Sequence, residues 1–205
     1  MEAVIFDAFG TILRICEGKH PYRQLMKAGI KQGRRPRPED ASLLMSGGYG
    51  LAEAAELLGI EVRPQEMARL EAVLRAEVAS IEPYADAVLC IKAIKAIKAA
   101  GIKVGICSNL AMPYGAAVTR HFPDLDAYGF SFDVGVLKPD RRIYEAVLRD
   151  MGVAAEDTWM VGDSQRCDKY GPEALGIKGH FLQRAGGELP DLLEFRNIVI
   201  RAPDL

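Results

Sequence analysis

Cysteine is scarce in this chain: 205 residues hold four, Cys16, Cys90, Cys107 and Cys167, with no C-x-x-C pair and no histidine at ligand spacing. A zinc ribbon and a disulfide framework are thereby excluded as organising features. Long apolar runs are missing too. Stretches such as Ala87 to Ile91 stop far short of the roughly 18 residues needed to cross a bilayer, so no membrane partner is expected. A surplus of one charge is likewise absent, with 26 Lys plus Arg against 28 Asp plus Glu and a net charge of −2. No global field therefore draws the chain to nucleic acid. The N-terminus runs from acidic Glu2 into a buried-strand pattern, not a basic segment ahead of a cleavable apolar stretch, and a cytoplasmic location is expected by default.

What is present is the composition of a soluble globular protein, 49% apolar and 26% charged. Its length suits one domain, or a core with an insert. Short continuous apolar runs recur at Ala3–Phe6, Ile102–Cys107, Phe130–Val134, Thr158–Val161, Gly179–Leu182 and Ile198–Ile200, and read as strands buried on both faces. A helix-period segment, Arg141–Met151, puts Ile143, Val147, Leu148 and Met151 on one face, with Asp140 as N-cap and Gly152 as stop. Strand and helix in alternation predict an α/β fold: a Rossmann-like parallel sheet with helices on both faces.

The distance from the first strand to Ile102 is too long for one βα unit, so the chain must carry an insert. Its residues are helical in pattern: Leu51–Leu58 ending at Gly59, then Pro64 leading Met67, Leu70, Leu74, Val78 and Ile81. The expected division is a core of residues 1–13 and 84–205 around a helical insert of residues 14–83. Lys19 to Arg37 carries seven basic residues and no acidic one, whereas Glu53 to Asp86 carries eight acidic residues against three arginines. Without interleaved aromatics, the basic run reads as a solvated loop or as a rim attracting an anionic substrate, not as a nucleic-acid arm. Ile91 to Lys98 repeats Ile and Lys at a period of three. On a helix each step of three turns back by about 60°, giving a band of isoleucines for the core beside a band of lysines for solvent.

Four strand-end or loop positions carry chemistry. Asp7, in Phe6-Asp7-Ala8-Phe9-Gly10-Thr11, follows the first strand where α/β sheets place ligands, with a glycine allowing a sharp turn. Ser108 and Asn109 end the next strand. Lys138 precedes a helix in Lys138-Pro139-Asp140, and Gly162-Asp163-Ser164-Gln165-Arg166-Cys167-Asp168 sets two carboxylates after a later strand. Each alone is an ordinary turn or cap. As an ordered set they converge on one crevice.

That set resembles the haloacid dehalogenase superfamily over residues 1–13 and 86–205, with the insert placed as in members whose helical cap follows the first motif. The resemblance implies Asp7 as a nucleophile forming a covalent ester that water hydrolyses. It implies that Ser108 and Asn109 bind the transferring group, that Lys138 offsets negative charge, and that Asp168 orients Lys138 or a water. Mg²⁺ would be held by Asp7, Asp163, Asp168 and the Phe9 carbonyl, because this ion takes hard oxygen donors. Phe9, Thr11, Asn109, Arg14 and Tyr144 are the expected substrate-side residues. Arg23 is a further candidate to contact the substrate.

The chain also departs from the superfamily's phosphatases. They carry a second aspartate two residues after the nucleophile, as acid and then base; here Phe9 stands there and cannot move protons. Phe9 and Tyr144 resemble the 2-haloacid dehalogenase branch, whose halide leaves unprotonated and which needs no metal. Asp163 points the other way, since a carboxylate beside Asp7 calls for a cation. The leading expectation is Mg²⁺-dependent hydrolysis of a small phosphorylated or phosphonate substrate with a good leaving group. The alternatives are a metal-independent 2-haloacid dehalogenase and a weakly active or non-catalytic metabolite-binding homologue. The expected partner is a small anionic molecule, and nothing in the sequence sets an oligomeric state.

Overall fold

The computed structural model describes residues 1–97 and 101–202. Five parallel strands form the central sheet in the order β5-β4-β1-β6-β7: β1 Ala3–Phe6, β4 Lys103–Ser108, β5 Ala127–Phe130, β6 Thr158–Gly162 and β7 Lys178–Phe181. β1 lies in the middle, its Val4 level with Val104 on one side and Trp159 on the other. Period-two alternation sends its side chains to opposite layers. Val4 and Phe6 join a cluster built with α5 (Ala85–Ile97), α6 (Met112–His121) and α10 (Leu192–Ile200), while Ala3 and Ile5 pack on the other face against α8 (Arg141–Met151). All four β1 residues are buried, which is why the strand reads as a continuous apolar run. The expected α/β sheet covered on both faces is the fold observed.

Helix α8 has the predicted bounds. The Asp140 carboxylate accepts from the Arg142 N–H, and Gly152 ends the helix in the left-handed region at φ 63°. Two expected strands are corrected. Only Phe130 of Phe130–Val134 is strand; Ser131–Val134 is the short helix α7. The Ser131 hydroxyl accepts from the Leu110 N–H at 3.0 Å and faces the Leu110 carbonyl at 3.3 Å, drawing the chain out of the sheet. Ile198–Ile200 is the last turn of α10, which is capped by Asp191 and buries Leu192, Phe195 and Val199 at helical spacing. An apolar triplet has no period of its own, and the residues before it decide. In α5, Ile91 and Ile94 are buried as expected, while the Ile97 side chain and Lys98 lie outside the described residues.

Between β2 (Leu13–Ile15) and β3 (Ile81–Pro83) the chain forms four helices: α1 Pro21–Lys31, α2 Asp40–Met45, α3 Leu51–Leu57 and α4 Pro64–Ala79. β2 and β3 pair antiparallel, with Arg14 opposite Glu82, so entry to and exit from the helical segment run side by side. The helices bury their own cluster around Leu25, Leu44, Leu51, Ala54, Leu70 and Leu74. Pro21 and Pro64 open α1 and α4, where a missing N–H leaves nothing unpaired. No helix among the described residues is long and apolar enough to cross a membrane.

Candidate active site

The C-terminal ends of β1, β4 and β6 bring the sequence-predicted residues together. Asp7 leaves β1 almost fully buried. Behind it the Ala8 carbonyl accepts from the N–H groups of Thr11, Ile12 and Leu13, folding the loop tightly. Gly10 adopts φ 86°, and a Cβ there would overlap the Asp163 carboxylate, so the turn requires glycine on both grounds. Thr11 is fully buried; its hydroxyl donates to Asp7 Oδ2 at 3.2 Å and accepts from the Asp163 N–H at 3.2 Å. It ties the β1 and β6 loops to each other.

Asp7 Oδ1 accepts from Ser108 Oγ at 3.1 Å and from Lys138 Nζ at 2.7 Å. Lys138 Nζ also reaches Asp168 Oδ1 at 2.6 Å, and Asp168 Oδ2 accepts from the Ser164 N–H at 2.9 Å. Asn109 fixes the lysine's backbone: its Oδ1 accepts from the Lys138 N–H at 2.7 Å and its Nδ2 donates to the Lys138 carbonyl at 3.0 Å. Burial alone would lower the lysine's pKa, but the Asp7 and Asp168 carboxylates outweigh it and hold the ammonium above its ordinary value. Burial, with a smaller contribution from Asp7, pushes Asp168 up against the opposing pull of Lys138. Asp163 opens to solvent and is raised by partial burial and then by the charge of Asp7.

Asp7, Asp163 and Asp168 each offer a carboxylate oxygen, and these oxygens lie within 4.8 Å of one another. One ammonium serves three carboxylates, which leaves negative charge uncompensated. The Phe9 carbonyl accepts no hydrogen bond among the described residues, which leaves it available as a fourth hard donor. The donor set suits Mg²⁺. Asp7, Asp163, Asp168 and the Phe9 carbonyl could hold the ion, with Asp7 and Asp168 each also accepting from Lys138.

A cavity of about 470 Å³ begins beside this crevice, lined by Phe9, Asn109, Leu110, Ala111 and Tyr114 from the core and by Tyr22, Arg23, Met26, Arg37 and the α2 residues from the helical segment. The Phe9 and Tyr114 rings meet edge to face at 6.0 Å. Arg14 and Tyr144 do not line the cavity. Arg14 pairs with Glu82 at 3.3 Å across β2 and β3. Tyr144 is fully buried under the Lys138 loop, donating to the Cys167 carbonyl at 2.5 Å.

Two groups carried no sequence signal. Arg184 donates to the Gly10 carbonyl at 3.2 Å and the Thr11 carbonyl at 2.6 Å and pairs with Asp86 at 2.9 Å, its guanidinium lying over the Tyr84 ring. It clamps the loop that carries Asp7 from outside. Tyr114 donates to buried Glu77 at 2.6 Å, and Glu77 also accepts from the His20 N–H at 2.5 Å, linking α6 to the helical segment. Neither arginine nor tyrosine sits in a recognisable spacing; only the fold makes them neighbours of the site.

The haloacid dehalogenase-like hydrolase family profile matches residues 1–176. The chain belongs to this family. It is 32% identical over 100 residues to haloacid dehalogenase-like hydrolase domain-containing protein 3 of Danio rerio, and 34% identical over 70 residues to a phosphoserine phosphatase of Thermus thermophilus. Those matches take in 46% and 34% of the chain but only 40% and 27% of the relatives. Among solved structures, a haloacid dehalogenase-type phosphatase from Thermococcus onnurineus superposes at TM-score 0.68 with 21% identity, over 97% of this chain and 98% of that one. The L-2-haloacid dehalogenase of Xanthobacter autotrophicus gives 0.65 with 20% identity over 98% and 99%. A family member from Bacteroides thetaiotaomicron, solved with magnesium and inorganic phosphate, gives 0.61 with 16% identity over 92% and 97%. At these identities the structures share the family fold, and the fold hosts both chemistries.

Proposed function

We propose that this hydrolase acts on small phosphorylated substrates in a Mg²⁺-dependent reaction, with Asp7 as nucleophile. The observation that carries the reading is the meeting of Asp7, Asp163 and Asp168 within 4.8 Å around a single ammonium. Like charges so close raise one another's pKa, and a cation among them relieves that repulsion. Bound there, Mg²⁺ would supply charge neutralisation for the transferring phosphoryl group. Lys138 donates to Asp7 and aims one carboxylate oxygen, Ser108 donates to the same carboxylate and could turn its hydroxyl to a phosphoryl oxygen instead, and Asp168 keeps the lysine charged and in position. Residues 14–83 act as a cap, and Phe9, Asn109 and Arg23 meet the substrate. The crystallised relative bound to magnesium and phosphate supports this assignment.

A second reading rests on Phe9: a metal-independent 2-haloacid dehalogenase needs no acid there, and one dehalogenase shares the fold. The phosphonate variant of the first reading, in which a lysine of residues 14–83 such as Lys19, Lys27 or Lys31 would form a Schiff base with the substrate, has less support, because Lys19 pairs with Glu17 at 3.0 Å and none of the three lines the cavity. A paired assay decides between metal-dependent phosphatase and dehalogenase. With an aryl phosphate, EDTA should abolish turnover and Asp7→Asn should lower it by roughly 10³-fold or more. Chloride release from 2-chloropropionate that persists in EDTA would overturn the first reading in favour of the second. Binding of phosphate without turnover of either substrate would favour a non-catalytic homologue.

A further inference from the structure

We infer that the substrate class is an aryl monophosphate, a phosphate ester of a phenol whose ring fills the cavity beside Phe9; this rests on the phosphatase reading above. The cavity, about 470 Å³, is the right size for one or two fused rings. Its walls are Phe9, Met26, Leu44, Met45, Leu110 and Tyr114. The lining also holds Tyr22, Asp40 and Asn109, and the polar groups of these three and of Tyr114 are already spent, whereas Arg23 and Arg37 remain unpaired at the mouth among the described residues. Tyr22 donates to the Tyr49 carbonyl at 3.1 Å and Tyr114 to Glu77. Both Asp40 oxygens accept from Arg34 at 2.7 Å, and both ends of the Asn109 amide are held by the Lys138 backbone. A sugar or polyol would bury hydroxyls with no partner, losing on the order of tenfold in affinity for each. An aromatic ring loses nothing and gains edge-to-face contacts with Phe9 and Tyr114. The exposed Arg23 and Arg37, which make no ion pair among the described residues, add positive charge at the mouth and favour entry of a phosphate dianion.

Phe9 links wall and chemistry. It stands where a proton donor would serve the leaving oxygen, and no other acid lines the cavity except Asp40, which is tied to Arg34. A leaving group must then depart as an anion. A phenol, with a pKa of about 10, does so far more readily than an alkanol. In the step, an Asp7 oxygen attacks phosphorus and the P–O bond to the ring breaks, its electron pair staying on the phenolate, which takes a proton from solvent. Water then attacks the aspartyl phosphate, gives a proton to solvent, and releases inorganic phosphate and the Asp7 carboxylate.

The test is a set of kcat/KM values for the full chain with Mg²⁺ on 1-naphthyl phosphate, phenyl phosphate, cyclohexylmethyl phosphate and glycerol 1-phosphate. The expected order is the order of naming, with naphthyl over glycerol by roughly 10³-fold or more: phenyl against cyclohexylmethyl isolates the leaving group, and cyclohexylmethyl against glycerol isolates the cavity. Met45→Glu, at a half-buried wall position, should compress the naphthyl-to-glycerol ratio by about tenfold. Mg²⁺-dependent turnover with glycerol 1-phosphate or the cyclohexyl ester equal to or above the aryl esters overturns the substrate class and leaves the phosphatase reading standing. Absence of turnover on all four by protein with a folded circular dichroism spectrum overturns both.

Discussion

At residue scale the site turns on what each side chain can and cannot do with a proton. Lys138, held between Asp7 and Asp168, stays charged and cannot act as an acid at neutral pH. In the proposed reaction, Phe9 would leave the leaving-group side without one. Phe9→Asp is expected to raise kcat/KM for an alkyl phosphate by about 10²-fold and to change an aryl phosphate far less, as measured on the cyclohexylmethyl and phenyl esters. Equal changes for both would mean that the introduced carboxyl does not reach the leaving oxygen. A second residue carries a pH consequence far from the site. His180 lies between Trp159, at 5.0 Å between centroids, and Phe195, at 5.2 Å, with Nε2 buried and unpartnered. Burial, then Lys178 and Lys169, lowers its pKa to about 4. The unfolded chain takes up a proton near pH 6.5 and the folded chain only near 4, so stability falls as pH drops through that window. Urea unfolding should show a loss of up to about 2 kcal/mol from this residue between pH 7 and pH 5, and His180→Phe should remove it.

At the scale of elements, how legible a segment was depended on whether local signals agreed. Helix α8 could be read to its last residue because cap, period and stop glycine coincide. β1 could be read because a strand buried on both faces leaves an unbroken apolar run. Ile198–Ile200 could not, since its helical state comes from the cap at Asp191 and the burial of Phe195. The basic run from Lys19 to Arg37 is settled by its partners. Arg34 forks onto Asp40 at the start of α2 and also donates to the Leu58 carbonyl at 2.8 Å, while Arg23 and Arg37 reach the cavity mouth. The Arg34 hydrogen bonds are the main cause holding the Asp40 carboxyl near 2. Asp40→Ala should destabilise the chain by about 1–3 kcal/mol. Since the depressed carboxyl contributes fully above pH 4 and less as pH falls towards 2, the difference between wild type and variant should narrow over that range in thermal melts. A constant difference would assign the loss to packing.

For the whole molecule, two segments, one after β1 with Asp7 and one after β6 with Asp163 and Asp168, bring together carboxylates that repel one another, and a cation among them would relieve the repulsion. Without metal, Asp163 is pushed up by partial burial and by Asp7, so its charge opposes folding at neutral pH. Asp163→Asn should raise the melting temperature of EDTA-treated protein, by about 2 to 4 °C per kcal/mol of relieved repulsion. It should also remove most of the upward shift that Mg²⁺ gives the wild type. A wild type whose melting temperature ignores Mg²⁺ would argue against a metal between these loops. The Arg184 clamp belongs to this scale as well, since it joins the β1 loop, Asp86 at the start of α5 and Tyr84 beside β3.

By itself the sequence determined the α/β class, the order of the motifs and the candidate chemical groups, because buried strands, helix caps and strand-end carboxylates leave local signals. Only the tertiary structure decided that Lys138 sits between Asp7 and Asp168, that Thr11 turns inward to bridge two loops, and that Tyr144 and Arg14 stay out of the cavity. It also decided that a cavity in which Tyr22, Asp40, Asn109 and Tyr114 are already paired lies beside Phe9. Those outcomes depend on which distant side chains satisfy one another's hydrogen bonds and charge, and spacing along a chain does not encode partners up to 152 positions apart.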